Sequence, residues 1–216
     1  MPKAWYRIAK RLFDPVAAAL LLVLLAPLLL LIAVLIRLGS PGRAIFRQER
    51  AGQACKPFIC YKFRTMASNV DPFGASPHSA NDPRVTHLGR RFRETSLDEL
   101  PQLFNVLKGD MSLVGPRPLY MRQAAEWNPR QHRRLEVKPG LTGLAQVLGR
   151  GDLTIEDKLE LDVQYVERAC VRFDLWILWK TLLSLFGRQR IYEQRYSRQV
   201  EVEPEASRRQ QQERSS

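Results

Sequence analysis

Cysteine and histidine are scarce in this chain of 216 residues, which contains three of each. A sparse, odd set of cysteines (Cys55, Cys60 and Cys170) argues against a disulfide framework and is typical of a reducing compartment. Cys55 and Cys60 do not have the usual spacing of paired zinc ligands, and no nearby histidine completes a ligand set. The composition therefore argues against a disulfide-stapled domain and against structural zinc.

Acidic residues are also in deficit, because 34 Lys and Arg against 22 Asp and Glu give a formal net charge of +12. Such a balance favours anionic partners, namely nucleic acid, an acidic membrane face or a phosphorylated substrate. Solubility and the cytoplasmic preference of basic loops explain the same excess. Charge alone therefore leaves the function open.

Charge is missing altogether from the 21 residues of Val16–Ile36. This run is long enough to cross the hydrocarbon core as a helix, whereas a signal peptide has a shorter core and a small-residue cleavage site. Pro27 lies in its middle, where a missing backbone donor kinks a helix. Both flanks are basic, and basic flanks stay cytoplasmic. We therefore expect residues 1–37 to form a re-entrant membrane helix that turns back, with a plain spanning helix as the alternative.

The rest of the chain predicts a compact cytosolic domain over residues 38–187, mostly α with short β elements. We expect strands at 44–46 and 58–63, a loop at 67–83, and helices at 101–108, 119–135, 154–168 and 173–187. The last helix is strongly apolar, so it either packs in the core or lies on the bilayer surface. Residues 188–216 are rich in Arg, Gln, Glu and Ser and predict a disordered tail.

The acidic pair Asp98–Glu99 has two interpretations. In the first, it begins a helix, since Ser96 and Glu99 fit a capping box and acids are common in a first turn. In the second, it is a reaction centre, since an ionised Asp can attack phosphorus and a neighbouring acid can hold Mg²⁺. This stretch alone leaves both interpretations open.

Several basic residues stand near this pair in the sequence at positions without helical periodicity: Lys62, Arg64, Arg84, Arg90, Arg91, Arg93 and Arg117. Phosphates approach two acids only where metal or arginine offsets the repulsion. Arg117 stands between Pro116 and Pro118, so its rigid backbone would lose little entropy on clamping a phosphate. The alternative for each basic residue is a solvated surface charge, and it is weakest for Arg117.

Five motifs stand in the order that one family has: Lys62–Met66, Asp82–Thr86, Thr95–Asn105, Gly109–Pro118 and Lys138–Val147. From about Lys10 to Phe186 the chain resembles the bacterial sugar transferases, the monotopic polyprenyl-phosphate phosphoglycosyl transferases, in their small minimal form. The resemblance implies transfer of a sugar-1-phosphate from a UDP-sugar to undecaprenyl phosphate with release of UMP. Such a step starts the assembly of a membrane glycan such as exopolysaccharide, O-antigen, capsule or glycoprotein glycan.

The resemblance also implies roles for particular residues. Asp98 would be the nucleophile that forms a phosphosugar–aspartyl intermediate in a ping-pong route, and Glu99 would hold Mg²⁺ together with Asp98. The basic residues expected to contact phosphates or shape the site are Lys62, Arg64, Arg93 and Arg117. In this sequence Ala26 precedes Pro27 where the family often has Ser, and Leu148–Gly151 replaces a common Asn-Gly-Arg-Asn. The first departure concerns the bend of the membrane helix. The second changes positions that could read the sugar or uridine, so the sugar is not predicted.

The family's location and partners follow from the same resemblance. It implies a monotopic protein of the bacterial inner membrane with a broken re-entrant helix and a catalytic domain on the cytoplasmic face. Inner-membrane lipid would then be a partner and nucleic acid would not. A homodimer is an assembly that the sequence permits. The rival interpretation is a membrane-anchored module that binds anionic lipid or nucleic acid without catalysis, with Asp98–Glu99 only capping a helix.

Overall fold

The computed structural model of the chain describes residues 4–67, 70, 77 and 82–186. The expected tail at 188–216 and most of the expected loop at 67–83 lie outside these residues. Eight α-helices occur in the described part: α1 (Ala4–Gly39), α2 (His87–Glu94), α3 (Leu103–Lys108), α4 (Met121–Ala124), α5 (Pro129–His132), α6 (Leu144–Leu148), α7 (Ile155–Arg168) and α8 (Val171–Phe186). The strands there are β1 (Ile45–Ala51), β2 (Pro57–Phe63), β3 (Ser112–Val114) and β4 (Gly140–Thr142). The predicted mixture of mostly helix with short strands is confirmed.

Within the described chain, α1 is the one helix long and apolar enough to cross a membrane. Its 36 residues continue through Pro15 and Pro27, and a straight helix of that length would measure about 54 Å. Only 11% of its most apolar window is buried within the protein. Because most of its apolar side chains are not buried by the protein, α1 differs from the core helix of a soluble domain.

Polar contacts attach both ends of α1 to the same domain. Near its start, the Tyr6 hydroxyl and the Lys10 ammonium both donate to Asp174 Oδ2 of α8, at 2.6 and 2.7 Å. Just beyond its end, Arg64 Nη2 donates to the carbonyl and hydroxyl oxygens of Ser40, both at 2.9 Å. Apolar packing also attaches both halves of α1 to the domain. Residues before Pro27 pack in the main hydrophobic core, and residues after it pack in a second hydrophobic cluster.

The two pairs of strands have different roles. Strands β1 and β2 form an antiparallel ribbon with Ile45 opposite Phe63 and Ala51 opposite Pro57. β1 is longer than the predicted 44–46, because its polar residues 47–50 hide the strand pattern in the sequence. Strands β3 and β4 are parallel, and a Cβ atom at Gly140 would lie 2.1 Å from the backbone nitrogen of Gly115. This close approach fixes the backbone that leads into residues 115–118.

The single helix predicted at 119–135 is wrong. The structure has α4, then α5, then a 3₁₀ helix at Arg133–Glu136. Asn128 caps α5 by accepting the Gln131 N–H at 2.9 Å, and Pro129 takes the first helical position. A proline inside a continuous helix would remove a hydrogen bond, so the Asn128–Pro129 pair starts a new helix. By contrast, α7 matches its predicted span to within one residue.

A buried ion pair joins α7 to the chain around Arg117. Arg134 and Asp162 are each 2% exposed, and Arg134 donates to Asp162 Oδ2 from Nε at 3.0 Å and from Nη2 at 2.6 Å. The same Nη2 donates to the carbonyl oxygen of Arg117, and the guanidinium lies over the Trp127 ring at 4.7 Å. The enclosed Arg134 guanidinium therefore fixes the backbone of Arg117.

Removing the acid of this pair should destabilise the protein far more than removing an exposed acid of the same helix. Asp162→Ala leaves the Arg134 charge buried and unpaired, and we expect a loss of about 3–5 kcal/mol. Glu160 is the matched control, because it pairs with Arg130 at 2.7 Å in an exposed position and its loss should cost at most about 1 kcal/mol. Unfolding of both variants in detergent measures the difference, and equal losses would contradict this role of the pair.

Candidate active site

Three distant segments bring charged side chains together around Glu99. Lys62 of β2 donates from Nζ to Glu99 Oε1 at 2.8 Å. Arg117 donates from Nη2 to Oε1 at 2.6 Å and from Nη1 to Oε2 at 3.3 Å. The Glu99 side chain is 15% exposed and that of Arg117 is 42% exposed. One carboxylate therefore holds two cations at a partly open surface, which is an arrangement suited to an anionic ligand.

The segment that carries Asp98 and Glu99 is a 3₁₀ helix at Leu97–Gln102, continued by α3. Asn105 of α3 is fully buried. Its side chain accepts the Tyr61 N–H at 3.0 Å and donates to the Ile59 carbonyl at 2.6 Å. These bonds hold α3 against β2, so Glu99 lies within reach of Lys62. At the other end of α3, Gly109 adopts a left-handed conformation with φ 83°, and the predicted helix end is confirmed.

The capping-box interpretation of Ser96 and Glu99 is wrong. Ser96 has a left-handed backbone with φ 57°, and its side chain makes no capping hydrogen bond. The side chain of Glu99 turns instead to Lys62 and Arg117. The acids also lie in a short 3₁₀ helix, so a preference of acids for the first turn of an α-helix does not explain their position. Pairing with distant cations is what fixes Glu99.

Asp98 differs sharply from its neighbour. It is 9% exposed, and its carboxylate makes no hydrogen bond or ion pair with any residue that the structure describes. Burial, with the nearby Glu99 charge, raises the pKa of Asp98 to about 6. Burial would raise the pKa of Glu99 as well, but the charges of Arg117 and Lys62 hold it well below its ordinary value. Adjacent carboxyl groups with pKa values pushed apart are a common pattern in active sites.

The other two predicted phosphate contacts are placed differently. The Arg64 guanidinium binds Ser40 and the carbonyl of Pro41, so in this structure it joins β2 to the end of α1 and does not reach Glu99. Arg93, in the last turn of α2, is half-buried and lowers the pKa of Asp98 through its charge. Lys62 and Arg117 are thus the predicted cations that pair with Glu99, while Arg93 acts on Asp98 through its charge.

Two supporting elements have no local sequence signal. Asn105 reads as one polar residue in a short amphipathic helix, and nothing nearby in the sequence indicates its bonds to β2. Arg134 and Asp162 lie 28 positions apart, and each alone looks like a surface charge. Only the complete fold shows that this pair fixes the backbone of Arg117.

The site offers carboxylate oxygens to a metal ion. No group of three or more His, Cys, Asp or Glu side chains that could hold a metal occurs in the described residues. Asp98 and Glu99 supply two neighbouring carboxylates, and Glu99 Oε2 accepts only the long 3.3 Å bond from Arg117. Such a donor set suits Mg²⁺, which is usually held by one or two carboxylates together with substrate phosphates.

Comparison with known proteins identifies the family to which this geometry belongs. The family model described as bacterial sugar transferase matches residues 5–188. The chain belongs to the bacterial sugar transferase family. The match includes α1, the ribbon, the acidic pair and α8, so the candidate site lies wholly within the region that members of the family share.

Curated relatives from several bacteria cover most of the chain. A UDP-glucose:undecaprenyl-phosphate glucose-1-phosphate transferase of Caulobacter vibrioides is 44% identical over 89% of this chain and 75% of its own. An uncharacterized sugar transferase of Bacillus subtilis is 47% identical over 81% and 86%. An undecaprenyl-phosphate galactose phosphotransferase of Salmonella typhimurium is 40% identical, with 86% of this chain but only 42% of the relative covered. Some relatives are therefore similar in length and others are much longer.

The raised pKa of Asp98 gives a prediction for stability. An unfolded Asp has a pKa near 3.9, so between about pH 4 and pH 6 the folded protein retains a proton that the unfolded chain has lost. Ionised Asp98 therefore costs the fold about 3 kcal/mol above pH 6. We expect Asp98→Asn to be more stable than the wild type at pH 8 by a similar amount, and the gain to shrink towards zero near pH 4.

Unfolding in detergent at several pH values between 4 and 8 measures this gain. Asp110 is the matched control, because its side chain is 30% exposed and pairs with Lys108. Asp110→Asn should show no comparable gain at pH 8. A stability difference for Asp98→Asn that does not change with pH would contradict the assignment of a raised pKa.

Proposed function

We propose that the protein transfers a sugar-1-phosphate from a UDP-sugar to undecaprenyl phosphate and releases UMP. One observation carries the proposal: the buried Asp98 carboxylate has no hydrogen-bond or ion-pair partner among the described residues, while Glu99 beside it pairs with both Lys62 and Arg117. The names of the Caulobacter and Salmonella relatives, which specify undecaprenyl-phosphate sugar phosphotransferases, support the same reaction. The relatives are named for glucose, galactose and N-acetylgalactosamine, so the sugar stays open.

In the first step, an ionised Asp98 oxygen attacks the phosphorus that carries the sugar. A bond forms between that oxygen and phosphorus, and the bond from phosphorus to the bridging oxygen breaks. UMP leaves with the bonding electron pair, so a phosphosugar–aspartyl intermediate remains. Because Asp98 has no ion-pair partner among the described residues, no ion pair within that part of the protein must break before the attack.

In the second step, an oxygen of undecaprenyl phosphate attacks the same phosphorus. The bond between phosphorus and the Asp98 oxygen breaks, and the carboxylate is regenerated as the diphosphate-linked sugar leaves. Lys62 and Arg117 would hold substrate phosphates in both steps. A guanidinium has five N–H donors, and Arg117 gives only two of them to Glu99, so the others are left for substrate.

The proposal includes Mg²⁺, which the two oxygen donors described above would fit. Asp98 and Glu99 would hold it together with the substrate diphosphate. When bound, the ion would offset the negative charge on the phosphates. Glu99 would then have two functions, since it also fixes the positions of Lys62 and Arg117.

We further propose that α1 is a re-entrant membrane helix and that the domain lies on the cytoplasmic face of the inner membrane. If α1 crossed the hydrocarbon core of about 30 Å as a straight span, only one of its two ends would lie on the same side of the membrane as the domain. The contacts of both Lys10 and Ser40 with one domain support a helix that returns to its side of entry. The outer face of α8, with Leu175, Trp179 and Leu182 each more than half exposed, would rest on the same bilayer surface.

The non-enzymatic alternative receives less support. It treats Asp98–Glu99 as a helix cap, and Ser96 makes no capping bond. It also gives no reason why a buried acid beside two cations should have no partner among the described residues. A homodimer remains a prediction from the sequence, as does the absence of a nucleic-acid partner.

Replacing the nucleophile tests the reaction. We expect wild-type protein with Mg²⁺ and undecaprenyl phosphate to release UMP from at least one member of a panel of UDP-sugars. Asp98→Asn should lower that rate on the order of 10³-fold or more, because the amide cannot form the intermediate. Asp110→Asn is the matched control and should retain activity. Full activity in Asp98→Asn would refute the nucleophile, and an inactive wild type across the panel would refute the reaction.

The course of α1 can be tested by labelling. Single cysteines at Ala4 and Gly42, in a protein whose three native cysteines are replaced by alanine, are exposed to an impermeant maleimide from each side of the membrane. A re-entrant helix predicts that both react from the cytoplasmic side only. Reaction from opposite sides would mean a spanning helix. Pro27→Ala should shift the labelling towards that spanning pattern, because it restores a regular helix at the bend.

A further inference from the structure

The ribbon face that carries Lys62 also carries a second cation, Arg50. Residues directly opposite in an antiparallel ribbon point to the same face. The register pairs Phe46 with Lys62, and four positions further along β1 it pairs Arg50 with Phe58. Arg50 and Lys62 therefore lie on one face, which is the face that Glu99 contacts.

The Arg50 side chain is held in one position by its neighbours. Its guanidinium lies over the Tyr120 ring at 3.7 Å from the centroid, and its Nη2 donates to Gln48 Oε1. Gln48 in turn donates to the Tyr120 hydroxyl at 3.1 Å. The Ala51 N–H donates to the Leu119 carbonyl at 2.9 Å, so β1 is joined to the same segment that carries Arg117. Stacking and hydrogen bonding thus pre-organise this cation.

The charge of Arg50 is not balanced by an acid in the described part of the chain. No carboxylate lies within ion-pair distance of it among the residues that the structure describes. Burial, together with the nearby Arg117 charge, lowers its pKa. A guanidinium stays charged in proteins, and a partly buried charge normally has a partner of opposite sign. The surrounding cations, Lys62 and Arg117, share a single Glu99, so this side of the site has surplus positive charge.

We propose that Arg50 binds a substrate phosphate. Together with Tyr120 and Gln48, it forms a second anion-binding position beside the group made by Glu99, Lys62 and Arg117. The inference rests on the proposed function for the identity of the anion. Two sources share the chemistry, namely the diphosphate of the UDP-sugar and the phosphate of the polyprenyl acceptor. In either case the incoming phosphate supplies the negative charge that no described carboxylate provides to Arg50.

Binding by purified full-length protein in detergent tests this role without turnover. The probes are UMP for the nucleotide side and a short-chain polyprenyl phosphate for the acceptor side, each titrated by thermal shift. We expect Arg50→Gln to need at least about tenfold more of one probe for the same shift, which corresponds to the loss of one charge-assisted hydrogen bond. The affected probe identifies the source of the phosphate.

Arg47 provides the matched control. It lies on the same strand but on the opposite, exposed face, over the Tyr61 ring at 5.8 Å, and Arg47→Gln should bind both probes as the wild type does.

In turnover, Arg50→Gln should raise the KM of the affected substrate by a similar factor with a smaller change in kcat. A purely structural role would lower the unliganded melting temperature and leave the KM values unchanged.

Three results would overturn the inference: wild-type affinity of Arg50→Gln for both probes, an equal loss in Arg47→Gln, or no binding of either probe by the wild type. If Arg50→Gln does not fold, Arg50→Lys replaces it, because lysine keeps the charge but not the planar fork; wild-type affinities in Arg50→Lys would then overturn the inference. Probe binding that depends on Arg50, without turnover of any UDP-sugar, would refute the proposed function and leave this binding position standing.

Discussion

The site depends on one interaction, the pairing of Glu99 with both Lys62 and Arg117. These residues come from β2, from the 3₁₀ helix before α3 and from the segment between two prolines, and the carboxylate of Glu99 joins all three. Because that single acid takes both cations, Asp98 beside it receives neither. Among the described residues, Glu99 is paired and Asp98 is not, and this contrast is therefore a product of tertiary structure and not of the acidic motif itself.

The surrounding fold keeps this contrast in place. Asn105 holds α3 against β2, and the enclosed Arg134–Asp162 pair holds the backbone of Arg117. An unpaired buried acid is destabilising, so the proposed chemistry has a cost that these supports must offset. The attachment of α1 to the domain at both ends would keep the site near the bilayer, where the phosphate of a polyprenyl acceptor lies.

The sequence predicted the local features of this protein well. The span of α7 and the end of α3 at Gly109 follow from periodicity and glycine, which act over a few residues. The role of the acidic pair stays a prediction. Prediction from the sequence failed where distant contacts decide the outcome. Ser96 looks like a helix cap, yet its left-handed backbone and the distant partners of Glu99 rule this out. Arg64 stands in a motif with Lys62 but turns to the end of α1, and no local pattern distinguishes the two.

The central claim is that Asp98 is the nucleophile beside a Glu99 that pairs with two cations. Trapping the covalent intermediate tests this claim most directly. The full-length enzyme is mixed with Mg²⁺ and an active UDP-sugar, without lipid acceptor, then quenched and measured by intact-protein and peptide mass spectrometry. The claim predicts one added sugar-phosphate on the peptide that contains Asp98, localised to Asp98 and lost when undecaprenyl phosphate is added. An adduct on Glu99 or elsewhere, or full turnover with no adduct at any time, would contradict it.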